Sequence, residues 1–194
     1  MTNISFQSKI RIIPNSKFNQ KTRNIDKNFL IDYPWGLKNS VLGNQFYTTD
    51  VLDCSVLGLR CKNKVLGLHI GPYSNDSYNF SNIEKFIEKT IFVKDSSLKG
   101  FLIGSKMGFD VYEESEKLFE KFRNFLRNHK IQFSELRGGI GAKNIFYSAE
   151  TDEILIGTDL IEKEQININK TKAIDYARHI FEEIRLLDQD KISW

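Results

Sequence analysis

Two cysteines and three histidines (Cys54, Cys61, His69, His129 and His179) carry most of the nucleophilic and proton-transfer chemistry available to this chain. Hydrolysing a carboxamide through a thioester needs three parts. A thiol attacks, an imidazole carries the proton, and a hydroxyl or carbonyl on the other ring nitrogen selects the tautomer. A neighbouring imidazolium lowers a thiol pKa and later protonates departing ammonia. Cys54, His69 and Thr48 fit these parts. Cys54 opens one expected strand and His69 closes the next, so a hairpin sets them side by side. Thr48 precedes Cys54 by six residues, and equal parity puts both side chains on one face if that segment is extended. Cys61 lies an odd number of residues from Cys54, so it faces away and is read as structural or exposed.

The elements that must hold these residues are legible as periodic runs. Ile4 to Ile13 is expected as one strand, and the polar stretch Pro14 to Asn28 as a loop. Phe46 to Thr49 begins an extended segment leading to Cys54. Ser55 to Arg60 and Val65 to His69 form strands joined at Lys62-Asn63-Lys64. Ser81-Asn82-Ile83-Glu84 is a capping-box pattern opening a helix that carries Ile83, Phe86, Ile87 and Ile91. Gly100 to Gly104 is a short buried strand. Leu118, Phe119, Phe122, Phe125 and Leu126 form one apolar stripe on a helix from Val111 to His129. Ile131 to Arg137, Asn144 to Tyr147 and Ile154 to Ile156 are strands. A last helix is expected from Lys170 to Asp188, burying Ala173, Ala177, Ile180, Phe181, Ile184 and Leu187. The order gives a mixed α/β or α+β domain.

The chain has 194 residues, enough for one domain with its own core. Its net charge of +3 comes from 28 basic and 25 acidic residues with both signs interspersed, so no nucleic-acid tail is expected. Met1 to Gln20 lacks the pattern of a signal segment, and no apolar run approaches a bilayer span. The expected location is cytoplasmic, with both thiols free.

Other constellations explain less. Gly138-Gly139-Ile140-Gly141-Ala142-Lys143 invites a phosphate-loop reading, but such a loop must open a helix, and strand-like Ile145-Phe146-Tyr147 follows. A tight backbone turn is the simpler reading. The Cys and His residues have no metal-ligand spacing, so no metal and no organic cofactor is expected. His129 closes a helix, where a cation suits the dipole. His179 sits within the last expected helix, at the edge of its apolar face.

The run Thr48-Thr49-Asp50-Val51-Leu52-Asp53-Cys54-Ser55-Val56 resembles the CheD family of chemoreceptor glutamine deamidases, in which Thr precedes the catalytic Cys by six. Gly67-Leu68-His69 with Pro72 beyond resembles that family's Gly-x-x-His segment, with the Gly one residue closer. Ile103-Gly104-Ser105-Lys106-Met107 resembles its Gly-Gly-Ala-x-Met strand. Ile131 to Tyr147 resembles its strand, Gly-Gly turn and closing strand, and Thr151 to Ile156 its last hairpin. The matched segments run in the family's order from Gln45 to Gly157. Leu52-Asp53 stand where the family has Gly-Ser, and Ala142-Lys143 where it has Arg. An acidic neighbour disfavours a thiolate unless it points away.

The resemblance implies a layered α/β/β/α sandwich, related to the catalytic fold of the cytotoxic necrotizing factor toxins. It implies Cys54 as nucleophile, His69 as acid/base and Thr48 as orienting residue. The domain expectation is one unit over 1–194, with a weakly patterned segment 1–43, a catalytic core 44–157 and a helical extension 158–194. The expected function is deamidation of protein glutamines to glutamate, on chemotaxis receptors. The alternatives are a toxin-like effector deamidating a host protein, and a non-catalytic module that binds a receptor or a chemotaxis phosphatase. The expected partner is a protein carrying an exposed glutamine, a chemoreceptor above all, docked as a helix or loop on a shallow site, with neither nucleic acid nor membrane insertion expected.

Overall fold

Short runs of β-branched and aromatic residues build most of the described part of this molecule, and the three α-helices among the described residues are laid on the outside of the resulting sheets. The computed structural model describes residues 8–33, 38–72, 77–91, 93–104, 112–137, 142–159, 183–185 and 192–193. In chain order the elements are β1 (Lys9–Pro14), α1 (Asn15–Thr22), a 3-10 turn (Lys27–Phe29), β2 (Leu30–Ile31), β3 (Ser40–Gly43) and β4 (Gln45–Val51). Then come β5 (Ser55–Cys61), β6 (Lys64–Ile70), α2 (Ser77–Thr90), β7 (Lys99–Gly104), α3 (Tyr112–Asn128) and β8 (Gln132–Arg137). The last are β9 (Lys143–Ser148), β10 (Glu153–Thr158), β11 (Glu183–Arg185) and β12 (Ile192–Ser193).

The strands form two six-stranded mixed sheets, one in the order β12-β1-β10-β9-β4-β2 and the other β11-β8-β7-β5-β6-β3. The inner faces meet in one core that includes Ile10, Ile12, Phe46, Val51, Ile145, Tyr147 and Ile156 from the first sheet, and Cys54, Val56, Val65, Phe101, Ile103 and Leu136 from the second. The outer face of the second sheet, with Leu57, Leu59, Leu66, Leu68 and Ile70, is covered by α2 and α3 through Phe80, Ile87, Leu118, Phe119, Phe122 and Phe125. The helix α1 lays Phe18 against Ile13 and Leu155 on the outer face of the first sheet. The molecule is therefore the expected α/β/β/α sandwich.

The centre of the interior is set by a pair of glycines. Gly58 and Gly67 face each other across the β5–β6 ladder. A Cβ on Gly58 would lie 2.2 Å from the Phe101 ring, and one on Gly67 would lie 2.5 Å from Phe46. The two rings stack at 6.1 Å with a 12° tilt. Phe46 belongs to the other sheet, so its seat on Gly67 fixes how closely the sheets approach.

Two polar clusters brace the layers. Arg60 of β5 pairs with Asp152 of the β9–β10 turn at 2.9 Å, a carboxylate that also accepts from Tyr147 Oη at 2.9 Å and from Ser8 Oγ. Arg123 of α3 donates to both oxygens of Glu135 in β8, at 2.8 and 3.0 Å, with both residues buried. This bidentate geometry satisfies a charge pair that burial would otherwise penalise.

Four expectations are corrected. The loop expected over Pro14 to Asn28 contains α1, because fully buried Phe18 anchors on Gly157 and Thr22 Oγ1 bonds back to the Phe18 carbonyl. The strand expected over Ile4 to Ile13 is β1, running on through Pro14 in parallel register with β10. Ser81 is not a cap but an interior residue of α2. Phe80, edge-on to Phe122 at 5.2 Å, draws the preceding turn into the helix. The expected helical extension is interrupted, since Glu183–Arg185 pairs antiparallel with β8 and Ile192–Ser193 pairs parallel with β1. Two sheet edges left open would expose unpaired backbone groups, and ladder pairing there overrides a helical pattern. Of the helix expected from Lys170 to Asp188, residues 170–182 and 186–188 lie outside the described residues, as does the Gly138–Gly141 turn.

The glycine pair gives a stability prediction. Gly67→Ala and Gly58→Ala each lower the unfolding free energy by about 1–3 kcal/mol, the cost of overpacking a close-packed interior. Phe46→Leu in the Gly67→Ala background, and Phe101→Leu in the Gly58→Ala background, recover part of that loss. Urea unfolding of the singles and doubles measures it, and strictly additive losses would show that the rings are not what the glycines accommodate.

Candidate active site

Cys54 stands one residue before β5, and β5 pairs with β6 in a register that sets Val56 opposite His69 and Ser55 opposite Ile70. Cys54 and His69 are therefore diagonal neighbours on the same face of the second sheet, the face turned to the interior. Such neighbours have Cα atoms about 7–8 Å apart, within reach of longer side chains. Cys61, at the other end of β5, belongs to the opposite face and packs with the helix-side core. Its sulfur donates to Asp95 Oδ2 at 3.2 Å.

Thr48 reaches His69 by another route than its parity with Cys54 suggests. Its strand β4 lies in the first sheet, where Thr48 is level with Ile145. The register then shifts before Val51, and Asp50 takes a left-handed φ of 57°. Aspartate tolerates that conformation better than most residues. The Asp50 amide is held by Asn144 Oδ1 at 3.1 Å. The chain thus bulges after Thr48, leaves one sheet after Val51 and enters the other at Ser55. Thr48 and Cys54 sit in different sheets, both directed into the space between them.

Phe46 and Thr48 are two residues apart on β4, as Gly67 and His69 are on β6. With Phe46 seated on Gly67, Thr48 Oγ1 comes to 2.7 Å from His69 Nδ1. The same hydroxyl donates its hydrogen to the Ile31 carbonyl at 3.0 Å. A hydroxyl has one hydrogen, so towards His69 it can only accept. Nδ1 therefore carries the proton and Nε2 carries the lone pair. Nε2 is buried with no hydrogen-bond partner among the described residues. Thr48 and His69 are both fully buried.

The sulfur is held differently. Cys54 is 5% exposed, and its Sγ lies 3.5 Å from Asp53 Oδ1, the hydrogen bond it makes in place of one to His69. Burial pushes the thiol pKa well up, and the charge of Asp53 pushes it further. Burial drives His69 the other way, down to about 4. At neutral pH the pair rests as neutral thiol and neutral imidazole rather than as an ion pair. The acidic neighbour does point at the sulfur. Ser115 Oγ of α3 fixes this turn by donating to the Asp53 carbonyl at 2.7 Å.

Sequence reasoning missed Tyr33. Its ring lies against that of His69, with centroids 5.0 Å apart and planes at 58°. Its hydroxyl oxygen stands where a Cβ on Gly71 would be, 2.1 Å away. No spacing rule links Tyr33 to Cys54, because its approach depends on β2 adding in parallel beside β4. The expected shallow site is a covered one, with half-buried Tyr33 lying against the buried imidazole. Lys143 is another buried residue at this end of the sandwich, level with Val51 and Thr158, and burial lowers its pKa to about 8. His129, one residue past α3, lies against the Phe125 ring at 4.5 Å with the planes tilted by 49°, away from this centre, and His179 lies outside the described residues.

No family model and no curated protein matches the chain. Among solved structures, the chain is similar to the crystal structure of a Neisseria meningitidis protein of the family described as DUF152. That likeness has 11% identity and a TM-score of 0.37, and covers 64% of this chain and 66% of the other. The chain thus spans just under two thirds of the length of that protein. Among the described residues no group of three or more His, Cys, Asp and Glu is placed to hold a metal, and no helix is long and apolar enough to cross a membrane.

The buried imidazole makes stability depend on pH. His69 titrates near 6.5 when unfolded and near 4 when folded, so the unfolded chain binds the extra proton between those values. Its contribution is complete above about pH 6.5 and is lost as pH falls towards 4, by up to ~3 kcal/mol. Urea unfolding at pH 7.5 and 4.5 should therefore show a steeper loss for the natural chain than for His69→Gln. Equal losses would mean that His69 is not held neutral by the fold.

Proposed function

We propose that this chain is a cysteine amidohydrolase that converts protein glutamine side chains to glutamate. The observation that carries the reading is the Ile31 carbonyl–Thr48–His69 chain, which leaves the Nε2 lone pair in the interior on the same sheet face as the Cys54 thiol. A lone pair buried without a partner is costly, and a thiol or an incoming substrate supplies the missing donor.

In the proposed reaction, substrate entry displaces Sγ from Asp53 and turns it towards His69. Nε2 takes the thiol proton as sulfur attacks the carboxamide carbon. The tetrahedral intermediate collapses, Nε2–H gives its proton to the leaving nitrogen, and ammonia departs. Water, deprotonated by Nε2, then cleaves the thioester to glutamate and restores the thiol. Thr48 keeps the proton on Nδ1 throughout, so the ring presents the working nitrogen to the sulfur. Because both groups rest neutral, proton transfer accompanies attack instead of preceding it.

For the target, the resemblance to the CheD family favours a glutamine on a chemotaxis receptor. A second reading, a non-catalytic module that binds a partner, is favoured by the Asp53 carboxylate beside Cys54 and the raised thiol pKa.

Cys54→Ala and Cys54→Ser distinguish the two. Both should reduce ammonia release from a glutamine-bearing protein substrate by more than roughly a thousandfold, since removing the nucleophile removes the covalent route. Mass spectrometry follows the same conversion as the small gain from amide to acid. Turnover retained by Cys54→Ala would end the hydrolase reading. A chain that releases no ammonia from receptor fragments, yet binds them equally well with Cys54→Ala, would establish the binding module.

A further inference from the structure

The β5–β6 ladder ends with Ser55 opposite Ile70, so the next residues outward, Cys54 and Gly71, face one another. Tyr33, in the turn that follows β2 of the other sheet, places its hydroxyl on Gly71, with its ring against His69. Any side chain at position 71 would occupy the place of that oxygen. The ring thus lies beside the imidazole, and the hydroxyl sits over Gly71, across the strand pair from the nucleophile. An atom bonded to Cys54 sulfur and turned towards His69 would lie between those two residues, under the Tyr33 hydroxyl.

We propose that Tyr33 is a catalytic residue of the amidohydrolase reaction, its hydroxyl donating a hydrogen bond to the carboxamide oxygen as that oxygen becomes an oxyanion. The assignment rests on the hydrolase reading of Cys54 and His69. Its chemistry is specific. The Gly71 backbone amide donates to the Tyr33 oxygen, so one lone pair is engaged and the hydroxyl hydrogen is what Tyr33 has to offer. Burial, with Cys54 and Asp53 nearby, holds the phenol above its ordinary pKa, so it stays a donor throughout the neutral range. A rigid ring with a single polar tip, anchored at both its face and its oxygen, is pre-organised for this task. It also favours an electrophile that carries an acceptor oxygen, such as a carbonyl, over one that carries none.

The test uses Tyr33→Phe, which keeps the ring on His69 and removes the donor, in the full chain carrying Cys61→Ser so that Cys54 is the sole thiol. On a glutamine-bearing substrate protein, kcat should fall by roughly 100-fold with KM little changed, the signature of a donor that acts on the transition state. A second readout needs no turnover. Iodoacetamide presents a carboxamide oxygen to the hydroxyl, whereas methyl iodide alkylates by the same displacement and has no acceptor oxygen. Tyr33→Phe should slow alkylation of Cys54 by iodoacetamide several-fold and leave its alkylation by methyl iodide unchanged. If the natural chain proves to have no deamidase activity, the hydrolase reading fails on that result alone, and the ratio of the two reagents still decides whether Tyr33 recognises a carbonyl. Equal slowing with both reagents would assign Tyr33 to cover or support only. An unchanged ratio, or an unchanged kcat in an active protein, would overturn the proposal.

Discussion

The position of the Phe46 ring on Gly67 is the constraint on which the centre depends. It is a contact between sheets, made where one strand gives up its side chain so that the other can fill the space. Two residues further along both strands, the same spacing delivers Thr48 to His69 at hydrogen-bond distance. A wider gap would leave the imidazole without its acceptor, and a one-residue slip of either strand would turn one of the two residues out of the interior. Packing thus decides the geometry of a polar contact. The glycine before the histidine matters because a methyl group there would hold the sheets apart.

That polar contact lies in an apolar interior, which governs its protonation. Burial raises the cost of any charge, so it moves the thiol and the imidazole in opposite directions and keeps a proton on the sulfur. The hydrogen-bond chain through Thr48 ends on a backbone carbonyl, which cannot ionise. It therefore fixes a tautomer without adding a negative charge that would favour an imidazolium. A carboxylate in the place of Thr48 would stabilise the charged ring and shift the resting state towards an ion pair. The negative charge near this centre sits instead on Asp53, beside the sulfur.

Much of this was legible in the amino-acid sequence because it follows short-range rules. The alternation through Ser55–Arg60 and Val65–His69 located the hairpin, and the Leu118–Leu126 stripe located α3, now seen as Tyr112–Asn128. Parity separated Cys54 from Cys61 correctly. The same reasoning failed at Asp50, where one left-handed residue breaks the parity between Thr48 and Cys54. Thr48 meets the histidine across the interior, which no count along the strand can reveal. The segment before Gly43 read as weakly patterned because α1 has a single large apolar anchor, Phe18, among polar residues. Tyr33 escaped notice for a related reason, since its place is set by parallel pairing with a strand distant in sequence.

The bridge from Arg60 to Asp152 joins the sheets at the end opposite Cys54 and His69. Arg60 lies near the close of β5, and Asp152 lies in the turn after β9. The sandwich therefore works like a pair of pliers whose rivet is ionic and whose jaws hold the thiol and the imidazole. Any small separation of the layers is greatest where the histidine is covered and least at the rivet. On the proposed deamidase reading, admitting a side chain between the jaws then costs only the local contacts around Tyr33, while the stacked rings of Phe46 and Phe101 stay closed behind it. Salt, which screens the half-exposed rivet more than the interior, becomes a lever on access as well as on stability.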